Sequence, residues 1–330
     1  MMEIIQPGML TSVQDLGRPG HRRLGISPGG ALNSLALSTA NLLVGNTVHA
    51  AGLEITMGAC EIRFTTDTRL ALTGDDFDAH LDDKSILPYW STPVRARQVL
   101  KLAPTGPHSV QGIRTYLAVA GGIAVANILG SRSTDLKAGF GGHEGRALRK
   151  GDRLPIGTPD KMMAGPAFGV RLPQWGVTGD HSKPVPLRVL PGPEFEQFTV
   201  ASKNMLWQDK WRITPNSNRM GYRLAGPGLE RQQHHDLLSH GVMPGVIQVP
   251  PSGQPIILMG DAQTTGGYPR IGVVIQADMW KLAQAPLNTQ LQLQPCNLEQ
   301  ALHAWEEQQT CLDDIRQALA GLPHARQYPK

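Results

Sequence analysis

Short β-rich apolar runs bounded by glycine dominate the pattern along this chain. Glu54 to Phe64, Arg114 to Ala120 and Ile271 to Ala277 are such runs, and each predicts strand. Helical periodicity is rarer. Ala31 to Val44 sets Leu32, Leu35, Ala36, Ala40 and Leu43 on one face and stops at Gly45-Asn46, which predicts a helix with a C-terminal stop. The clearest helix is Leu298 to Leu322: Asn297 can cap it, Glu299 enters its first turn, and Gly321-Leu322-Pro323 ends it.

A second pattern lies over the first. Ile4-Ile5-Gln6-Pro7-Gly8 is echoed by Val189-Leu190-Pro191-Gly192, and Arg18-Pro19-Gly20-His21-Arg22 by Arg219-Met220-Gly221-Tyr222-Arg223. Gly52-Leu53-Glu54-Ile55 then matches Gly245-Val246-Ile247-Gln248, and the strand ending at Gly74-Asp75 matches the one ending at Gly260-Asp261. Four matches in one order read as a duplication. Between the halves, Pro159, Pro166, Pro173, Pro184 and Pro186 interrupt any periodicity, as a linker would. The expected organisation is a first β-domain over residues 1–157, a linker over 158–185, and a second β-domain over 186–330 that carries the terminal helix. Two closed or nearly closed β-barrels, each with a helix, fit this mostly-β pattern.

Composition narrows the function classes. The chain has 330 residues, enough for two cores, and its 37 glycines and 26 prolines suit frequent chain reversals. A net charge of +4 without a basic run argues against a nucleic-acid surface. Cys60, Cys296 and Cys311 are far apart and in no metal spacing, which suits reduced thiols in a cytoplasmic protein. The first residues lack the basic and apolar regions of a signal peptide, and no apolar stretch has the length of a membrane span.

The segment Asp261 to Arg270 has the densest chemistry. Asp261, Gln263, Thr264, Thr265, Gly266, Gly267, Tyr268 and Arg270 offer a carboxylate, an amide, two hydroxyls, a phenol, a guanidinium and close backbone approach. A polar hairpin explains it equally well. The turn Asn218 to Arg223 supplies Arg219 and Arg223, which suit a carboxylate or phosphate, beside Asn218 and Tyr222; surface ion pairing is the plainer account. A secondary candidate is Gln14, Asp15 and Arg18, in a loop that leads to a helix start. Asp75, Asp76, Asp78, Asp82 and Asp83 form an acidic cluster best read as solvated, and His234-His235 has no partner at metal spacing. No P-loop, Rossmann turn or nucleophile elbow is present.

These segments together resemble the allophanate hydrolase subunit 2 family. This KipA-related, biotin-dependent carboxyltransferase-like family includes the C subunits of bacterial ATP-dependent 5-oxoprolinases. The resemblance is carried by Val13-Gln14-Asp15, Ala40 to Asn46, Tyr116 to Gly122, Ser133 to Leu136, Leu190 to Pro193, Asn218 to Leu224, Leu238-Ser239-His240-Gly241 and Pro255 to Arg270. It runs from about Ile4 to Ala283; Asn33 departs from it, standing where the family usually has Asp. The resemblance implies cyclophilin-like barrels, a KipI-like B subunit, a LamB/YcsF-like A subunit, and ATP with Mg²⁺. It implies opening of 5-oxo-L-proline to L-glutamate, active only in the complex. On that reading Arg219, Arg223 and Arg270 clamp an anion, Asp261 is a base or metal holder, and Gln263, Thr264 and Thr265 bind substrate. Two other functions stay open: the acceptor side of a urea-carboxylase-like carboxyltransferase, and a non-enzymatic KipA-like antagonist of a kinase inhibitor.

Overall fold

The computed structural model describes residues 1–75, 77–103, 112–159, 165–173, 176, 182–233 and 237–321. Asp76, His234-His235, Leu322-Pro323 and much of the expected linker therefore lie outside the described residues. The chain divides into two compact units, the first of residues 1–18, 33–178 and 309–330, the second of residues 19–32 and 179–308. These bounds depart from a simple cut near the linker at two places. Residues 19–32 join the second unit because the Gly29 N–H donates to Gly260 O (3.1 Å) and Leu32 packs in that unit's core. Residues 309–320 join the first because Leu312, Ile315 and Leu319 pack with Leu35, Leu42 and Leu172.

In the first unit two six-stranded sheets share one core. One has Cys60–Phe64 between Met2–Pro7 and Val99–Leu102; the other has Arg114–Val119 between Gly52–Thr56 and Thr68–Gly74. The single run expected from Glu54 to Phe64 is two strands in different sheets. Three consecutive left-handed residues break it: Met57 (φ 61°), Gly58 (φ 64°) and Ala59 (φ 54°). Only glycine fits the middle position, since a Cβ there would lie 2.1 Å from Ala103 O. Leu53, Ile62, Phe64, Leu72, Leu100 and Leu117 fill the core at no more than 1% exposure, which is where the apolar runs are spent.

Helix α1 (Ser34–Leu43) starts three residues later than the periodicity suggests. Gly29 and Gly30 are left-handed (φ 61° and 87°) and Asn33 is non-helical (φ −111°, ψ 85°), so the helix begins after Asn33. Asn33 is the N-cap: its Oδ1 accepts from Ala36 N–H at 2.9 Å, and its own N–H donates to the Tyr116 hydroxyl at 2.9 Å. Asn and Asp cap equally well, so Asn33 keeps the structural role of the family's Asp. Asn33→Asp is expected to leave the urea midpoint within about 0.5 kcal/mol, and Asn33→Ala to cost about 1 kcal/mol. A large loss from Asn33→Asp that exceeds the loss from Asn33→Ala would instead mean that the site discriminates on charge.

The second unit is a closed seven-stranded barrel in the order Val185–Pro191, Arg270–Val274, Val246–Gln248, Ile256–Leu258, Gly221–Ala225, Lys210–Ile213, Gln290–Pro295. Parallel pairing of the last strand with the first, Leu187 opposite Leu293, closes it and removes the barrel's edges. Helix α2 (Val200–Gln208), unmarked by apolar periodicity, is started by the Thr199 hydroxyl accepting from Ser202 N–H at 3.1 Å. Helix α3 (Met279–Gln284) follows Asp278, which is fully buried and paired with Arg188 (2.7 Å) and Lys281 (2.9 Å). Helix α4 (Leu298–Ala320) opens with a reciprocal capping box: Asn297 Oδ1 accepts from Gln300 N–H, and Gln300 Oε1 accepts from Asn297 N–H.

Candidate functional site

Arg219 and Asp261 meet, although 42 residues apart, because strands Gly221–Ala225 and Ile256–Leu258 pair and both residues leave the same barrel end. Arg219 Nε donates to Asp261 Oδ2 at 2.8 Å and Nη2 to Oδ1 at 3.0 Å; Nη2 also donates to Gly30 O at 2.7 Å. Both side chains are about 95% buried. Both carboxylate oxygens accept from the guanidinium, so this pair pins residues 29–30 to the barrel.

The rest of the turn points elsewhere. Tyr222 is 2% exposed in the barrel core, and Arg223, next along the strand, is on the outside. Asn218 is exposed, its Oδ1 accepting from Met220 N–H at 2.8 Å in a local turn. The two arginines of the motif therefore do not share a face.

The loop after Asp261 does converge. Thr265–Gly266 pairs with His240–Gly241 as a two-stranded ribbon, and Val242 N–H donates to Thr264 O at 3.0 Å. Beneath it lies the buried carboxamide of Gln248, which accepts from Gln263 Nε2 (3.4 Å) and donates to Tyr268 O (3.5 Å). Gly266 packs closely there: a Cβ would come within 2.8 Å of the Gln248 amide nitrogen, so that side chain would have to shift. Arg270 grips Glu194 through Nε (2.8 Å), Nη2 (2.7 Å) and its backbone N–H (2.9 Å). Burial pushes the Glu194 carboxyl up, but the Arg270 bonds and charge outweigh it and hold the group below the ordinary carboxylate range. His240 lies in the field of that carboxylate. Its Nδ1 is 3.1 Å from Leu238 O, a carbonyl that can only accept, so Nδ1 carries a proton there. Nε2 is buried and has no hydrogen-bond partner among the described residues.

The secondary candidates form a loop clasp in the first unit. Asp15 accepts from Gly17 N–H (2.8 Å), Ser131 Oγ (2.7 Å), Arg132 N–H (2.5 Å) and Ser133 Oγ (2.5 Å). Gln14 donates to Ser12 Oγ and Thr134 O, and Arg18, fully buried, donates to Ser133 O and stacks 4.7 Å over Phe140. These residues hold their own backbone.

Residue types and spacing give no role to Glu194, Gln248 or His240. Gln248 closes an apolar strand, and His240 lies in a stretch that carries only resemblance; what marks both is burial of a polar group.

Each unit has a cavity among its described residues. One of about 600 Å³ in the first unit is lined by Glu61, Asp78, Asp82 and Asp83 with His80 and Lys101, and by none of the expected site residues. The other, of about 400 Å³ in the second unit, has Gly267 and Tyr268 at its edge. Among the described residues no group of three His, Cys, Asp or Glu side chains is placed to hold a metal, and no helix is long and apolar enough to cross a membrane.

Residues 24–295 match the family model of the carboxyltransferase domain, subdomain A and B. The chain is 50% identical to a 5-oxoprolinase C subunit of Escherichia coli over 96% of this chain and 97% of that one. It is 40% identical to a 5-oxoprolinase C subunit of Haemophilus influenzae over 96% and 98%. Among solved structures, Kluyveromyces lactis urea amidolyase matches with a TM-score of 0.86 and 28% identity, over 95% of this chain but 20% of that one. TTHA0988 matches with a TM-score of 0.76 and 31% identity, over 89% and 55%.

Proposed function

We propose, since the chain belongs to the carboxyltransferase domain, subdomain A and B, family, that it is the C subunit of an ATP-dependent 5-oxoprolinase. The carrying observation is the 50% identity to a 5-oxoprolinase C subunit over nearly the whole of both chains. Urea amidolyase relatives are more distant, at 31% identity over 18% of a much longer protein. The proposed partners are a KipI-like B subunit and a LamB/YcsF-like A subunit.

The chemistry explains the need for ATP. A lactam carbonyl is a poor electrophile. Transfer of the γ-phosphoryl group to the lactam oxygen releases ADP and activates the ring carbon. Water adds there, and the C–N bond breaks with its electron pair going to nitrogen. A second water then frees phosphate from the acyl phosphate, leaving L-glutamate. In this reading the ribbon, Gln248 and Gln263 supply fixed dipoles, and Arg270 with Glu194 sets the loop that carries them. His240 is the proton carrier between water and the departing nitrogen. The described residues offer no metal-ligand cluster, so no step is assigned to Mg²⁺ here.

The test is 5-oxoproline-dependent ADP release by the chain alone and co-expressed with both partners. Negligible turnover alone and full turnover in the complex are expected. Full turnover by the isolated chain overturns the subunit reading, and an inactive complex overturns the substrate.

A further inference from the structure

We infer that the outward face of the first half of helix α4 docks a helix of a partner subunit, one whose apolar seam is flanked by lysine or arginine. This rests on the subunit reading and names the surface that meets the partner. The helix lies beyond residues 24–295, the stretch that matches the carboxyltransferase family model. Its sequence runs in heptads. Leu298, Leu302, Trp305, Gln309, Leu312, Arg316 and Leu319 occupy the a and d positions. In the second half of the helix that seam is used within the chain, since Leu312 and Leu319 are 9% and 7% exposed. In the first half it is open: Leu298, Leu302 and Trp305 are 63%, 52% and 39% exposed. This half packs on its own unit by the adjoining side, where Ala304 and Gln308 are 3% and 6% exposed. Three successive seam positions, all apolar and all open, differ from the scattered surface leucines that any protein shows.

The charges beside the seam say what covers it. Every e position of the helix is acidic: Glu299, Glu306 and Asp313. Asp313 pairs with Arg316, and Glu307 with His303 at 3.6 Å. Glu299 and Glu306 are exposed and make no ion pair among the described residues. The helix carries five carboxylates and one arginine in a chain of net charge +4, so it is an acidic strip on a basic protein. Flanking charges set partner choice when helices pair along such a seam. A second copy of this chain is a poor occupant. Laid antiparallel, it sets Glu299 and Glu306 against their own equivalents; laid parallel, it meets them with Ala301 and Gln308, which offer no charge. A seam flanked by lysine or arginine pairs with both carboxylates while its apolar residues cover Leu302 and Trp305. Trp305 is the anchor, because tryptophan is enriched among the few residues that carry most of the binding energy of an interface.

The test is capture of the co-expressed B and A subunits by the chain and by three variants altered at exposed positions. These are Leu302→Asp with Trp305→Ser, Glu299→Lys with Glu306→Lys, and Thr310→Lys as a control on the face away from the seam. The first pair is expected to raise the Kd for one partner at least about tenfold, and the second about tenfold at low salt. Melting temperatures should stay within about 3 °C of the wild type. Added salt should weaken capture by the wild type and not by the charge-reversed variant, and Thr310→Lys should match the wild type. Undiminished capture by either pair overturns the inference, as does a wild-type dimer that Leu302→Asp with Trp305→Ser abolishes. If the wild type captures neither partner, the subunit reading fails, and synthetic three-heptad helical peptides decide the surface. A peptide with leucine at a and d and lysine at both flanks should bind the wild type and not Leu302→Asp with Trp305→Ser, and its glutamate-flanked version should bind neither. Equal binding of the two peptides, or binding of neither, overturns the inference.

Discussion

Asp261→Ala is expected to destabilise the second unit by about 3–5 kcal/mol, enough to unfold a marginal domain. The pair it breaks is about 95% buried, and its loss strands the Arg219 guanidinium away from water. Coulomb attraction between these groups offsets the cost of burying them only while both are present. Removing both should therefore be milder: Arg219→Met with Asp261→Leu is expected to recover most of the loss, leaving mainly the orphaned Gly30 carbonyl. The measurement is urea unfolding of the two single variants and the double. If Asp261→Ala keeps the wild-type midpoint while the complex loses activity, the carboxylate serves chemistry and the structural account is wrong.

Gly192→Ala should be the most damaging single-methyl change near the candidate site. A Cβ at this position would lie 2.2 Å from Arg270 O and 2.9 Å from Gly272 N, both backbone atoms that no rotamer can move aside. Relief requires parting strands Val185–Pro191 and Arg270–Val274, where Pro191 faces Gly272, and with them the Glu194–Arg270 grip. A loss of about 3 kcal/mol follows, or roughly 6–12 °C in Tm. Gly228→Ala is the control, since a Cβ there meets nothing within 4 Å, and it should stay within about 0.5 kcal/mol. Equal melting of Gly192→Ala and wild type would mean that the strands tolerate separation, and the loop at Arg270 would not be held as described.

Arginine roles show where residue-type reasoning stops. Arg219, Arg223 and Arg270 look alike in sequence as anion clamps. In the fold one is sealed against Asp261, one faces outward from a barrel strand, and one grips Glu194. The partners are 42 and 76 residues away, so no local pattern names them.

By itself the sequence determined what depends on near neighbours. The strand-rich class, the helix from Leu298 with its Asn297 cap, the stop after Leu43 and the membership of a family all follow from residues a few positions apart or from long ordered motifs. Tertiary structure decided which half owns residues 19–32, that Glu54 to Phe64 is two strands in two sheets, and which polar residues face a cavity. Those outcomes depend on burial and on pairings across long chain separations. A buried charge must find its counter-charge wherever the fold brings one, and a glycine at Gly58 or Gly192 is needed because of a backbone atom distant in sequence.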